Sequence, residues 1–278
     1  MSKPGQHRLS LAMGLGAALV LLLLAAAALS LLWTPHPPTE IDIAAKLQGA
    51  SARHWLGTDS LGRDMASLLL VGARNALLVG VIAVGIGMGV GVSLGLVAAA
   101  RGGWVDEGLM RLSDFAFAFP ALLTAIMLGA IRGPGLLTSV LAIGLFNIPV
   151  FARITRGAAR SVWARDFVLA SRACGKGAWH ISLHHVLPNI SSLLIVQATV
   201  QFATAILAEA ALSYLGLGTQ PPEPSWGRML NEAQSMMFQA PLLALWPGLA
   251  IALSVMGLNL LGDGLRDRLD PRAARGPG

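Results

Sequence analysis

Charged residues are scarce in this chain of 278 residues. Only 12% of the residues are Asp, Glu, Lys or Arg, whereas an ordinary soluble domain has about 25%. Because 55% of the residues are hydrophobic, the chain has too little polar surface to cover a water-soluble globule. A single cysteine, Cys174, excludes an internal disulfide framework, and the high hydrophobicity excludes intrinsic disorder. The composition predicts an integral membrane protein.

Motifs for catalysis and nucleotide binding are also missing from the sequence. It contains no G-x-x-x-x-G-K-[ST], no H-E-x-x-H and no strand-borne G-x-G-x-x-G. Gly175-Lys176 has neither the upstream glycine nor the following hydroxyl residue of a phosphate loop. We therefore expect that the chain is not an enzyme, does not hydrolyse ATP by itself and binds no cofactor or catalytic metal.

Long uncharged runs are what the sequence has in abundance. A bilayer core of about 30 Å needs roughly 20 apolar residues in a helix, and continuous runs favour helices over the alternating strands of a barrel. We predict an all-α integral membrane protein with six transmembrane helices, at 9–33, 75–100, 115–131, 133–152, from about 190, and at 240–262. The first run exceeds the roughly 7–15 residues of a signal-peptide core, so it is interpreted as an uncleaved anchor rather than a signal peptide.

The basic residues predict the orientation of the helices, because cytoplasmic loops are enriched in lysine and arginine. With the N-terminus inside, 14 of the 20 basic residues fall on the inner side, Lys3, Arg8, Arg272 and Arg275 among them. Both termini are therefore predicted to be cytoplasmic. This topology also explains the net charge of +6 without a nucleic-acid partner.

The second run is rich in glycines that lie four residues apart. Small residues at this spacing let helix backbones approach closely in lipid. We expect them to pack within the bundle, the alternative being contact with a partner subunit. These glycines are Gly85, Gly87, Gly89, Gly91 and Gly95.

The long basic loop at 153–189 is predicted to form two short helices hinged at the Gly175-Lys176-Gly177 cluster. Its Leu169-Ala170-Ser171, Gly175 and Leu187-Pro188 have a spacing that resembles the EAA loop of bacterial ABC importer permeases. That resemblance implies a coupling helix that docks on an ATPase subunit. Leu169, Ser171 and His185 replace the Glu, Ala and Ile of the family pattern. The predicted coupling residues are Asp166, Phe167, Leu169, Ala170, Ser171, Arg172, Gly175, Leu187 and Pro188.

A second segment, HWLGTDSLGRDMASLLLVGAR at 54–74, resembles the signature of the peptide and nickel branch of ABC permeases, the DppC/OppC-like subunits. Two more blocks, EAALSYLGLGTQPPEPSWGRM at 209–229 and LNLLGDGLRDRLDP at 258–271, resemble the same branch. We expect the first segment to fold tightly outside the membrane, with Asp59, Arg63 and Asp64 satisfying one another, rather than to contact the solute. Its predicted structural residues are Gly57, Thr58, Asp59, Gly62, Arg63, Asp64 and Arg74.

The resemblance implies a type I, MetI-like permease of a bacterial inner membrane. Its implied partners are a second, DppB/OppB-like permease, two ATPase subunits that carry ATP and Mg²⁺, an extracytoplasmic solute-binding protein and membrane lipid. The implied solutes are di- or oligopeptides or related small solutes, and the alternative solute is a nickel chelate. A less favoured alternative for the function as a whole is a transporter driven by an ion gradient. We predict three parts: an anchor and outer segment at 1–74, a permease core at 75–265 and a cytoplasmic tail at 266–278.

Polar side chains inside predicted spans require a reason, because burying them in lipid is costly. Gln197 and Gln201 lie four residues apart on one helix face, which Thr204 continues toward Glu209. These residues either line a translocation path or form hydrogen bonds between helices, and Asn147 fits both roles. For Glu209 we favour bracing of the following outer loop. His180, His184 and His185 are expected to be solvated or interfacial rather than metal ligands.

Overall fold

Helices make up nearly all of the computed structural model, which describes residues 4–119 and 121–269. No β-strand occurs in these two ranges. The helices are α1 (Pro4–Leu32), α2 (Met65–Arg101), α3 (Gly103–Ala118), α4 (Ala121–Arg132), α5 (Leu136–Trp163), α6 (Asp166–Ala173), α7 (Ala178–Ile181), α8 (Leu187–Tyr214), α9 (Trp226–Gln234) and α10 (Leu242–Leu269). A 3₁₀ turn covers Ile43–Ala45 and a π-helical turn covers Ser182–Val186.

Five stretches within the described ranges are long and apolar enough to cross a membrane: 11–32, 65–101, 136–163, 178–214 and 242–269. A sixth crossing results if α3 and α4 together form one bent span. The all-α prediction is thus confirmed. The predicted domain boundary between residues 74 and 75 lies inside α2, and residues 1–3 and 270–278, with the basic residues Lys3, Arg272 and Arg275, lie outside the described ranges.

The third predicted span is not one straight helix. Helices at 103–118 and 122–132 meet at an angle of 81°. Phe119 ends α3 in an extended conformation, with φ −93° and ψ 113°, which is the backbone preferred by a residue that precedes proline. Residues 115–131 were predicted as one helix because the whole run is uncharged, and the proline at position 120 was not taken into account.

The prediction of two short helices in the basic loop is half correct. α6 is a separate short helix, and Gly175 follows it with a positive φ of 78°. The chain then runs through α7 and the π turn directly into α8, so that Ala178–Tyr214 forms one 37-residue helical stretch. The second short helix is therefore the first part of the fifth span.

The core of the bundle is the contact between α2 and α5, and three glycines of α2 make it possible. A Cβ on Gly95 would lie 2.6 Å from the carbonyl oxygen of Ala152, and one on Gly91 would collide with the carbonyl oxygen of Ile148. Gly87 lies equally close to Asn147. Around this contact, α1 packs on α10, and α8 packs on both α2 and α10.

Candidate functional site

The predicted coupling helix α6 has one buried and one exposed face. Val168 is fully buried in a cluster with residues of α2, α5 and α8, and Ser171 is buried beside it. Phe167 is 43% and Leu169 is 52% exposed, although both are large apolar side chains. Helix α6 is thus anchored to the bundle by one side and presents apolar surface on the other.

The remaining coupling residues lie close to this exposed face. Asp166, Ala170, Arg172, Gly175 and Pro188 are exposed and Leu187 is half-buried. Asp166 begins α6 and Arg172 lies in its last turn, where each charge is favourable to the helix dipole. The ring of Phe167 meets that of His185 edge-on, with centroids 6.4 Å apart. This contact connects α6 to the base of α8.

The five path candidates occupy different environments. The amide nitrogen of Gln201 donates a 2.8 Å hydrogen bond to the side-chain oxygen of Asn147, and both residues are buried. Gln197 faces an open groove of about 430 Å³ with Asp263 and Arg266. Thr204 is exposed and donates to the carbonyl oxygen of Val200. The structure therefore does not bring these side chains together along one surface.

Glu209 is only 1% exposed and connects α8 to the loop that follows it. Its Oε1 accepts a 2.7 Å hydrogen bond from the hydroxyl of Ser213 and a 3.4 Å bond from that of Thr219. The Ser213 hydroxyl in turn accepts the backbone N–H of Thr219 at 3.0 Å. This geometry is that of a brace for the outer loop, as the sequence analysis favoured.

The signature at 54–74 forms a compact turn in front of α2. Gly57 and Gly62 have φ of 80° and 79°, a conformation that side chains with a Cβ rarely adopt. Thr58 and Asp64 face each other in an isolated bridge, and the Thr58 hydroxyl donates to the carbonyl oxygen of Ala45 at 2.5 Å. The predicted tight fold of this segment is thus present in the structure.

The predicted charge pairing within this signature is only partly correct. Arg63 donates to Asp59 at 2.6 Å and to Glu232 of α9 at 2.5 Å. Burial disfavours the guanidinium charge, but the two carboxylates outweigh it and raise the pKa of Arg63 above its usual value. Asp64 does not join this network: its Oδ2 instead caps α2 by accepting the backbone N–H of Ser67 at 2.8 Å. Asp64 serves as the cap because the first backbone N–H groups of a helix have no acceptor within the helix.

The outer loop after α8 is fastened to α2 by contacts that the sequence analysis missed. Asn75 donates to the carbonyl oxygen of Pro224 at 2.8 Å, and the indole of Trp226 donates to that of Leu69 at 3.1 Å. Arg74 lies 3.7 Å from the exposed Glu223. A local sequence pattern does not predict such contacts, because the partners are about 150 residues apart in the chain.

The helical bundle and its long apolar helices are those of a multi-pass membrane protein. Residues 91–275 match the model of the family described as the binding-protein-dependent transport system inner membrane component. The chain belongs to this family. It is a permease subunit of an ATP-driven importer rather than an enzyme, it resides in the inner membrane, and its family works with ATPase subunits and a solute-binding protein.

Relatives that share most of the chain are permeases with related names. The chain is 44% identical to the dipeptide transport system permease protein DppC of Alkalihalophilus pseudofirmus, over 87% of this chain and 79% of the relative. It is 45% identical to the glutathione transport system permease protein GsiD of Pectobacterium atrosepticum, over 81% and 75%. It is 44% identical to the di/tripeptide permease DppC of Pseudomonas aeruginosa, over 93% and 88%. The predicted resemblance to DppC/OppC-like subunits is thus confirmed.

A solved structure supports the fold. The chain superimposes on a chain of the MetNI methionine ABC transporter with a TM-score of 0.62, covering 74% of this chain and 98% of that one at 18% identity. The MetI-like architecture predicted from the sequence is confirmed by this comparison.

Proposed function

We propose that this permease carries di- or oligopeptides. The proposal is supported by the names of the three relatives above, which specify dipeptides, di- and tripeptides, and glutathione, itself a tripeptide. None of these three names specifies nickel. The solute would reach the chain from the binding protein and pass along its interface with a second permease subunit.

The exposed face of α6 is the observation that carries the coupling part of the proposal. An apolar residue such as Leu169, held out from the bundle by the buried Val168, suits a hydrophobic groove on another protein. Two ATPase subunits, which bind ATP and Mg²⁺, would contact α6 of this chain and its counterpart in the second permease. ATP binding would then move α6 and open the bundles outward, and hydrolysis would reset them.

The unpaired glycine face of α2 supports the second permease. Gly87, Gly91 and Gly95 pack on α5, whereas Gly85 and Gly89 are exposed, with no atom within 4 Å of a Cβ built on either of them. These two lie four residues apart, the spacing that lets two helices pack closely in a membrane. We therefore expect the two alternatives, packing within the bundle and contact with a partner subunit, to apply to different members of the set.

A matched pair of substitutions on α6 tests the coupling role. In the reconstituted importer, Leu169→Asp is expected to lower peptide-stimulated ATP hydrolysis and uptake at least tenfold, because it places a charge in the proposed groove. The permease should remain folded, since Leu169 makes no core contact, whereas Val168→Asp should lower the amount of folded protein. Full stimulation of hydrolysis by the Leu169→Asp complex would contradict the coupling role.

The solute is tested separately, with the binding protein and the wild-type complex. Uptake of a labelled dipeptide should require ATP and be inhibited by unlabelled di- and tripeptides. Uptake that persists without ATP and is abolished by an uncoupler would identify the ion-gradient-driven rival. Inhibition by a nickel chelate but by no peptide would replace the proposed solute class while leaving the coupling result unaffected.

A further inference from the structure

Two histidines and an aspartate meet where the segment after α1 passes over the start of α2. The side chains of His36, His54 and Asp64 each offer one ligand atom, and these atoms lie within 4.8 Å of one another. The two imidazole rings are 4.5 Å apart between centroids. His54 and Asp64 are buried, and His36 is half-buried. The peptide transport described above uses none of these three side chains.

The hydrogen bond of His36 leaves one of its ring nitrogens free for a cation. The Nε2 of His36 lies 2.8 Å from the carbonyl oxygen of Arg53. Since a carbonyl only accepts, Nε2 carries the proton and the Nδ1 of His36 keeps its lone pair. A backbone carbonyl that holds the opposite nitrogen is the usual support of a histidine that ligates a metal.

The two carboxylate oxygens of Asp64 have different partners. Its Oδ2 accepts both the backbone N–H and the hydroxyl of Ser67 at 2.8 Å, while Oδ1 faces His54 Nδ1 at 3.0 Å. The same Ser67 hydroxyl accepts the backbone N–H of His36 at 3.0 Å, so that one serine positions two of the three residues. Arg63, the neighbouring cation, is occupied by Asp59 and Glu232 and does not compete for Asp64.

His54 itself has an unpartnered polar atom. His54 is about 95% buried, and its Nε2 has no hydrogen-bond partner among the described residues. A cation in place of the proton shared by Nδ1 and Asp64 would be held by both residues, and the proton of the His54 ring would then lie on Nε2.

We propose that His36, His54 and Asp64 bind a divalent transition-metal ion of the zinc type. Two imidazoles and one carboxylate are a donor set that suits Zn²⁺ and leaves a coordination position for water. Such an ion would add a second link between the segment after α1 and the start of α2, beside the hydrogen bond from His36 to Ser67.

Zinc binding to the full-length permease tests the proposal. The purified chain is freed of metal with a chelator, dialysed against buffered Zn²⁺ and analysed for bound metal. We expect about one zinc per chain, with affinity reduced at least tenfold in the His36→Gln and His54→Gln variants. Co²⁺ in place of Zn²⁺ should give visible absorption bands in the wild-type chain and not in the His36→Gln chain.

Matched controls separate this site from other histidines and from misfolding. A His180→Ala/His184→Ala chain, which lacks two histidines near the coupling helix, should keep the zinc. His36→Gln is the principal variant because His36 is half-buried and lies outside the helices, and its elution and thermal unfolding without metal should match the wild type. The proposal would be overturned if the wild-type chain bound no zinc. It would also be overturned if His36→Gln left the amount of bound zinc unchanged while the control variant lost it.

Discussion

The carboxylate of Glu209 accepts hydrogen bonds from the hydroxyls of Ser213 and Thr219. Its hydrogen-bond partners in the described part of the molecule include no basic side chain. Glu209→Gln retains an acceptor oxygen for Ser213 and Thr219, so we expect near-normal uptake. Glu209→Ala leaves these hydroxyls without an acceptor and should destabilise the outer loop by about 1–3 kcal/mol. Thermal unfolding of the purified variants and uptake by the reconstituted complexes measure the two effects.

The opposite pattern would identify Glu209 as a solute contact. If Glu209→Gln abolished uptake while its unfolding temperature equalled that of the wild type, the negative charge itself would be needed for transport. The bracing role would then be insufficient.

Arg63 holds the outer segment against α9 through two carboxylates. Replacing it by methionine keeps much of its length but leaves the buried Asp59 without its cation, whereas Glu232 keeps its ion pair with Arg228. Removing one partner of a buried pair costs about 3–5 kcal/mol. We expect Arg63→Met to lower the unfolding temperature markedly. Arg111→Met is the matched control, because Arg111 pairs with Glu107 at an exposed position where a pair contributes at most about 1 kcal/mol. Equal shifts in both variants would show that the Arg63 network adds no stability.

For single residues of the outer segment, the sequence indicated which side chains matter but not all of the residues that they contact. Asp59 and Arg63 lie four residues apart and were correctly expected to pair, because their separation is local. Glu232 lies 169 residues from Arg63, and only the folded chain brings them together. Asp64 was assigned to the same pair, although a helix starts one residue later and uses it as a cap.

The two glycine faces of α2 have different surroundings, because one packs on α5 and the other is exposed. A valine at position 95 would collide with Ala152 and Thr155 of α5, so Gly95→Val should prevent folding of the permease itself. A Cβ on the exposed Gly85 meets no neighbouring atom within 4 Å in the described ranges, so Gly85→Val should leave the subunit folded while weakening its association with the second permease. Size-exclusion chromatography of the single subunit and of the co-expressed pair distinguishes the two. Unchanged assembly of the Gly85→Val pair would place the partner on another surface.

Hydrophobic runs located the helices but not their ends. α2 begins ten residues before its predicted start at residue 75, and α5 continues eleven residues past its predicted end at residue 152. The predicted run in α2 starts just after Arg74, and the predicted run in α5 ends just before Arg153. A search for uncharged runs therefore stops at a charged residue, although the helix continues through it.

The lone cysteine permits a direct test of the orientation of the whole molecule. Cys174 is exposed just after α6, on the side predicted to be cytoplasmic. A membrane-impermeant maleimide should label it in inverted vesicles and not in intact cells. A Cys174→Ser/Glu40→Cys chain, with its cysteine at an exposed position of the outer segment, should show the reverse. Labelling of Cys174 in intact cells would invert the proposed topology.

Five of the six predicted spans, the helical class and the family were accessible from the sequence, because hydrophobic length and three spaced motifs indicate them. The arrangement of the polar residues was not. Gln201 points to Asn147 while Thr204, three residues later, is exposed, and which side of a helix meets a neighbour depends on the packing of the entire bundle.

The two longest helical stretches, α2 and the run from Ala178 to Tyr214, have 37 residues each, or about 55 Å at 1.5 Å per residue. The apolar core of a bilayer is only about 30 Å thick. Each rod is therefore longer than the apolar core is thick and would act as a lever if it tilted within the membrane. A tilt of about 10° about the midpoint displaces each end by about 5 Å in opposite directions, so we expect a small rotation beside α6 to be accompanied by an opposite movement at the other end of the rod.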